Sequence, residues 1–193
     1  MRVSTSNKKY TVEEYIQHEL NSQVRSEFIN GQLFEMAGEK DINNKIALRI
    51  AFILMEFLTE KGYEIFAHDV KVKIFGDDKY YYPDVFVTQE LSTAANQYIK
   101  SEPVLIVEVV SESSQINDYT DKYIAYTKIP SLQFYIIVEP ETVLVTCYKK
   151  GETGVWITSK YLNLEDDVRL NTLDISLPLK KFILNDKLHL ILF

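Results

Sequence analysis

The 193-residue chain has a single cysteine, Cys147, and only three histidines, His18, His68 and His189. One thiol excludes an intrachain disulfide, and no zinc site of several thiolates can be built within one chain. The histidines lie far apart in sequence, so a histidine-rich metal site is not expected and each reads as a surface or packing residue. Long apolar runs are also missing: Val104-Leu105-Ile106-Val107 meets charge far short of a membrane span. Met1 to Lys9 is polar and lacks the apolar core of a signal peptide, so a cytoplasmic location away from membranes is expected. Basic charge is in deficit, with 21 Lys and Arg against 28 Asp and Glu, a net charge of −7. That balance argues against indiscriminate nucleic-acid binding through a basic surface. It leaves room for a local basic groove and for acids that hold a metal.

What remains is an ordinary globular composition, 46% apolar and 25% charged, at a length that suits one domain over residues 1–193. Thr11-Val12-Glu13-Glu14 has the form of a capping box and predicts a helix running to about Leu20. Asn30-Gly31, between Arg25-Ser26-Glu27-Phe28-Ile29 and Gln32-Leu33-Phe34-Glu35-Met36, is the dipeptide that a two-residue hairpin turn prefers. Ile46, Ile50, Ile53, Leu54, Phe57 and Leu58 recur at helical spacing over Ile42 to Thr59, and Gly62 closes that helix. Strands are expected over His68 to Phe75 and, after the turn Gly76-Asp77-Asp78, over Lys79 to Thr88. Pro83 removes a backbone donor there, so the second strand is at an edge, bent or just starting, a geometry that aims Asp84 out of the sheet. Leu91 to Ser101 reads as a loop with a helical turn. Val104 to Val110 is nearly all β-branched, as in a strand covered on both faces, and Glu108 interrupts it. A helix from about Asn117 to Lys128 should stop at Ile129-Pro130. Strands over Leu132 to Val138, Thr142 to Lys149 and Gly154 to Lys160 follow, then a tail with a small sheet and a final helical turn. The sum is an α/β (α+β) fold: a mixed-sheet core with flanking helices, an N-terminal β-hairpin and a C-terminal β meander.

The chemistry concentrates in Tyr82-Pro83-Asp84-Val85, Val107-Glu108-Val109-Val110 and Lys122. Two carboxylates on neighbouring strands can hold a hard divalent cation, and an ammonium beside them can steady an anionic group under attack. An ionised Glu108 inside an apolar strand costs several kcal/mol in effective burial, roughly, unless something is paired with it. That partner is either an ordinary ion-pair residue or a metal shared with Asp84. Val110 shares a strand face with Glu108, and an acid-x-lysine site would place its lysine there. The nearest replacement is Lys122, which follows Asp118 and precedes Tyr126 on one helix face. From spacing alone, the competing account is an Asp118–Lys122 surface ion pair of about 0.3–0.5 kcal/mol with Tyr126 packing below it. Glu27 and Glu35 flank the hairpin turn and offer a third carboxylate. Tyr80-Tyr81-Tyr82 could stack on bases, but reads as sheet packing.

In their order and spacing these segments resemble the PD-(D/E)xK nuclease superfamily, and within it the Uma-type restriction endonucleases. The resemblance runs from about Tyr10 to Phe182. It includes Tyr10 to Tyr15, Glu27 to Gly31 with Glu35-Met36-Ala37-Gly38, Tyr82 to Val85, Val107 to Ser111, Asp118 with Lys122 and Tyr126, and Ile129 to Leu132 with Phe134 to Val138. It implies that Asp84 and Glu108 bind Mg²⁺ or Mn²⁺, that Lys122 replaces the strand lysine, and that Glu27 is a fourth member of the site. It further implies a metal-dependent endonuclease acting on DNA, working as a two-fold homodimer. One departure stands out: the family often carries a histidine soon after Met-Ala-Gly, and this chain has Asn43. Asn43 serves equally well if that residue only caps the next helix. The alternatives are a nuclease fold without activity, used for binding or assembly, and a carboxylate-pair hydrolase of sugars, which needs two acids across a cleft with no lysine nearby.

Overall fold

The computed structural model describes residues 8–36, 38, 40–110 and 114–183. Of the features above, Met1 to Asn7, Ala37, Ser111 and His189 lie outside the described residues. Helix α1 (Val12–Asn21) starts at the expected capping box: the Thr11 hydroxyl accepts from the Glu14 amide and the Glu14 carboxylate accepts from the Thr11 amide. Strands β1 (Ser26–Ile29) and β2 (Gln32–Glu35) form the hairpin, and both turn residues take the positive φ that selects Asn-Gly, 50° at Asn30 and 89° at Gly31. Helix α2 (Asp41–Leu58) then buries Ile46, Ile50, Ile53, Leu54 and Leu58 together with Ala47 and Ala51. Each fully buried Ile or Leu contributes about 1.5–3 kcal/mol. Phe57 departs from the expected stripe and is exposed. The chain leaves through one 3₁₀ turn and Gly62 in the left-handed conformation.

Strand β3 (Glu64–Ala67) is followed by β4 (Lys71–Lys73), β5 (Lys79–Tyr81), β6 (Val85–Thr88), β7 (Ile99–Lys100) and β8 (Pro103–Val109). Here the structure corrects the sequence reading. The segment read as one strand over His68 to Phe75 holds only β4, and β3 precedes it in a different sheet. The segment Lys79 to Thr88 is likewise two strands, divided at Tyr82-Pro83-Asp84. Strands β5 and β4 belong to a five-stranded sheet of order β2-β1-β5-β4-β7, whereas β3 and β6 join a six-stranded sheet. Between β3 and β6 the chain therefore crosses between sheets twice, at His68 and at Pro83-Asp84. The crossings are adjacent: Ala67 pairs with Val85, and the His68 amide donates to the Asp84 carbonyl at 3.1 Å. A proline without a donor and a histidine at φ 61° break both strands at the same level.

After β8, the expected helix is segmented into α3 (Gln115–Asn117), a π-helical turn (Asp118–Lys122) and α4 (Tyr123–Tyr126), and it ends before Pro130. The meander β9 (Phe134–Glu139), β10 (Leu144–Lys150) and β11 (Trp156–Tyr161) completes the six-stranded sheet, of order β11-β10-β9-β8-β6-β3 with β8 and β9 parallel. A two-stranded sheet of β12 (Asp167–Leu170) and β13 (Ile175–Pro178) and a last turn, α5 (Leu179–Phe182), close the described chain.

Strand β8 is covered on both faces, as its composition predicts. Leu105, Val107 and Val109 pack with α2 in one core, and Ile106 and Val110 pack with Ala125, Tyr126 and Ile129 in the other. Alternation puts Glu108 on the second side, facing the π turn and α4. No described helix is long and apolar enough to cross a membrane.

Candidate active site

Strand β8 delivers Glu108 and helix α4 delivers Tyr126, while the π turn delivers Asp118 and Lys122. The Lys122 ammonium donates to Glu108 Oε1 at 2.8 Å, and the Tyr126 hydroxyl donates to the same oxygen at 2.8 Å. Lys122 Nζ also lies 3.1 Å from Asp118 Oδ1 and 3.7 Å from Glu27 Oε1. Asp84, at the start of β6, accepts from the Val109 amide through Oδ2 at 2.6 Å, which fixes it against the peptide that follows Glu108. Glu27, Asp84, Glu108, Asp118 and Lys122 are all buried, none more than 6% exposed.

The four residues singled out from sequence thus meet in one place. Lys122 does reach across from its helix, and the Asp118–Lys122 surface ion pair is overturned: the pair is buried. Glu35, the other hairpin acid, is exposed. Tyr80, Tyr81 and Tyr82 are buried and cannot offer faces to bases. A π turn widens the helix by one residue, and such turns recur where a helix must aim functional side chains. The one here spans Asp118 to Lys122, the stretch that presents both groups to Glu108.

Three carboxyl groups, those of Glu27, Glu108 and Asp118, share one ammonium and Asp84 lies beside Glu108, so acids outnumber bases in the pocket. Burial raises the Glu108 pKa first; Lys122 pulls it back, Asp84 and Asp118 push it up again, and it ends well above the usual glutamate range. Burial alone would lower the Lys122 pKa, but Asp118, Glu108 and Glu27 outweigh it and hold the ammonium charged. Asp118 Oδ1 is buried with no hydrogen-bond donor among the described residues, only the ammonium in ion-pair range. The donor chemistry suits a hard dication: carboxylate oxygens, with negative charge left over. Among the described residues no three His, Cys, Asp or Glu side chains form a ready-made cage. A cation held by Asp84 and Glu108 would take its other oxygens from water and phosphate, which is how Mg²⁺ usually binds.

Three features were not legible in sequence. His68 is more than a packing residue: its Nδ1 stands 3.8 Å from Asp84 Oδ1 and its Nε2 3.4 Å from Asn44 Nδ2. Burial lowers its pKa, which keeps the imidazole neutral near neutral pH. Asn43 does not cap α2, whose first residue follows Lys40; it is buried and its Nδ2 donates to the Val109 carbonyl at 3.3 Å. Asn43 and Asp84 therefore hold the two sides of one residue in β8. Glu19, on which the sequence reading was silent, has a side chain only 4% exposed beside Lys71. Its one sequence cue is the spacing of four from Tyr15, the buried residue of α1. Cys147 is buried and its thiol is pushed up to about 12, which leaves it inert. A lysine 2.8 Å from Glu108 in a buried cluster does not fit the open carboxylate pair of a sugar hydrolase.

Comparison with known proteins agrees with this architecture. Two uncharacterized proteins of Synechocystis are each 29% identical to the chain, one over 177 residues (91% of this chain and all of the relative), the other over 168 (87% and 88%). The crystal structure of a protein from Anabaena variabilis described as a putative nuclease superposes with a TM-score of 0.74 at 14% identity, covering 90% of this chain and 97% of that one. That likeness shows a shared mixed α/β fold. The Uma2 family profile, described as "Putative restriction endonuclease", matches residues 12–180, nearly the whole described chain, and the protein belongs to that family.

Proposed function

We propose that the protein is a metal-dependent endonuclease that hydrolyses DNA phosphodiester bonds. The observation that carries this reading is the cluster itself: three buried carboxyl groups, Glu27, Glu108 and Asp118, gathered around one buried ammonium with the buried Asp84 beside Glu108, an arrangement rich enough in acids to invite a dication. The family and the nuclease-fold neighbour support a nuclease-like activity; the metal and the choice of DNA are inferences from the site.

Asp84 and Glu108 would hold Mg²⁺ or Mn²⁺. The ion, when bound, supplies a water of lowered pKa and polarises the scissile phosphate. Val109 N–H holds one Asp84 oxygen, Oδ2, and the other stands 3.8 Å from His68 Nδ1. Lys122 stays protonated, orients the attacking water or steadies the charge that builds on the phosphate, and pulls the Glu108 pKa down against the effect of burial. Tyr126 donates to the same Glu108 oxygen as Lys122, Oε1, and Oε2 would be the oxygen that serves a ligand. Glu27, in ion-pair range of Lys122, limits where that ammonium can sit. A two-fold homodimer would let two such sites cut both strands.

The test is direct. Purified protein incubated with plasmid and Mg²⁺ or Mn²⁺ should nick or linearise it, and Asp84→Ala and Lys122→Ala should not. Undiminished cleavage in both variants removes the assignment. A protein that neither cuts nor is stabilised by either ion fits instead a nuclease fold kept for binding or assembly.

A further inference from the structure

A second buried polar network lies behind the first, built around Glu19 in the last turns of α1. One Glu19 oxygen accepts from the Ser26 amide at 2.9 Å, and the other accepts from the Tyr82 hydroxyl. Lys71 Nζ stands 3.7 Å from that second oxygen and 5.0 Å from the centre of the Tyr82 ring. The Tyr15 hydroxyl, one helical turn before Glu19, donates to the Ser26 carbonyl at 2.9 Å. Helix α1 therefore claims both backbone polar groups of Ser26, the residue directly before Glu27. Through Tyr82 it also grips the segment that ends in Asp84, two residues on. Neither Ser26 nor Tyr82 would need a charged partner to satisfy packing. A carboxylate buried to accept from both costs desolvation that a neutral acceptor would not.

From these contacts we infer that Glu19 is a positioning residue: its carboxylate ties the Glu27 strand to the Tyr82-Pro83-Asp84 crossing and so sets how Glu27 and Asp84 face Lys122 and Glu108. The crossing needs such an anchor. Pro83 gives up a backbone donor and the chain changes sheet there, and the His68 amide on the Asp84 carbonyl holds the crossing from the β3 side only. Asp84 is held in front by Val109 and behind by Tyr82 through Glu19. The network lies one residue from Glu27 and two from Asp84, behind the acids it places, as supporting shells of metal sites do. This inference rests on the nuclease reading for its consequence, but not for its geometry.

Tyr82→Phe removes only the hydroxyl and leaves the Glu19–Ser26 and Glu19–Lys71 contacts, so it is the primary variant. Glu19→Gln is the second, and Thr11→Ala, which weakens α1 at its cap without touching the network, is the control for a merely structural effect. The readouts are the side-chain carboxyl ¹³C resonances of Glu27 and Asp84 in metal-free protein, Mn²⁺ affinity by calorimetry, and kcat and KM on plasmid. Tyr82→Phe should shift the Asp84 resonance and Glu19→Gln both resonances. Mn²⁺ affinity should weaken about 10-fold or more, and kcat should fall with KM unchanged, while Thr11→Ala does none of this. Unmoved resonances in both network variants, or the same losses in Thr11→Ala at equal stability, overturn the inference. Wild-type protein that neither binds Mn²⁺ nor cuts overturns the nuclease reading, and the carboxyl resonances still decide the role of Glu19.

Discussion

Lys122 Nζ and Glu108 Oε1 lie 2.8 Å apart, one carried by a π turn and the other by the penultimate residue of β8, and both side chains are buried. Strand β8 alone could not tolerate an ionised Glu108, and α3–α4 alone would not bury Lys122; each is admissible because the other is there. Desolvating the pair is costly, and the attraction offsets it only with good geometry and further hydrogen bonds. Tyr126 supplies one such bond.

Lys122→Met leaves the buried carboxyl groups of Glu27, Glu108 and Asp118 without their ammonium. Breaking a buried pair this way costs about 3–5 kcal/mol, which urea denaturation at neutral pH should register along with loss of cleavage. Mg²⁺ should then stabilise the variant more than it stabilises the wild type, because the charge excess has grown. A variant that Mg²⁺ stabilises less would argue against a cation held at this cluster.

Asp84→Asn separates the structural and chemical duties of one side chain. The amide oxygen can still accept from the Val109 N–H, so stability should change by no more than about 1 kcal/mol. Charge at the metal position is lost, and cleavage should drop by at least about 100-fold. Equal cleavage in a folded Asp84→Asn protein would remove Asp84 from the chemistry.

Metal affinity should depend on pH through Glu108. Its folded-state pKa is raised, chiefly by burial, so it favours folding fully below the ordinary glutamate range, and that contribution is lost as pH rises through the raised value. A dication competes with the same proton. Calorimetry in buffers of different ionisation enthalpy should therefore show proton release on Mg²⁺ binding and an affinity that increases from about pH 5 to about pH 8. Flat affinity over that range would show that Glu108 is not a ligand. Lys122 behaves oppositely in range: its raised pKa keeps its contribution intact below the ordinary lysine value and surrenders it only in strong alkali.

Asn43→Ala removes the side-chain donor to the Val109 carbonyl. A loss of about 1 kcal/mol is expected in chemical denaturation, with cleavage reduced because Val109 is also the anchor of Asp84. Full activity with normal stability would make Asn43 a bystander.

Much of the fold was legible because its determinants are local. The capping box at Thr11 and Glu14, the Asn30-Gly31 turn, the α2 stripe and the two-faced β8 each depend on residues a few positions apart. Pro83 announced a break before Asp84, although not that the chain changes sheets there. His68 gave no such warning: a positive φ at a non-glycine residue is imposed by the crossing, and nothing beside it in sequence specifies it.

The sequence by itself determined which residues are ionisable, where strands and helices begin, and that Glu108 required a partner in an apolar strand. Tertiary structure alone decided which partner. Lys122 is 14 positions from Glu108, and Tyr82 is 63 from Glu19; periodicity extends over one element and cannot order several. Sheet order, the parallel pairing of β8 with β9 and the packing of α4 on that face bring these groups together. Their burial then turns an ordinary i, i+4 pair into the charged centre of the site.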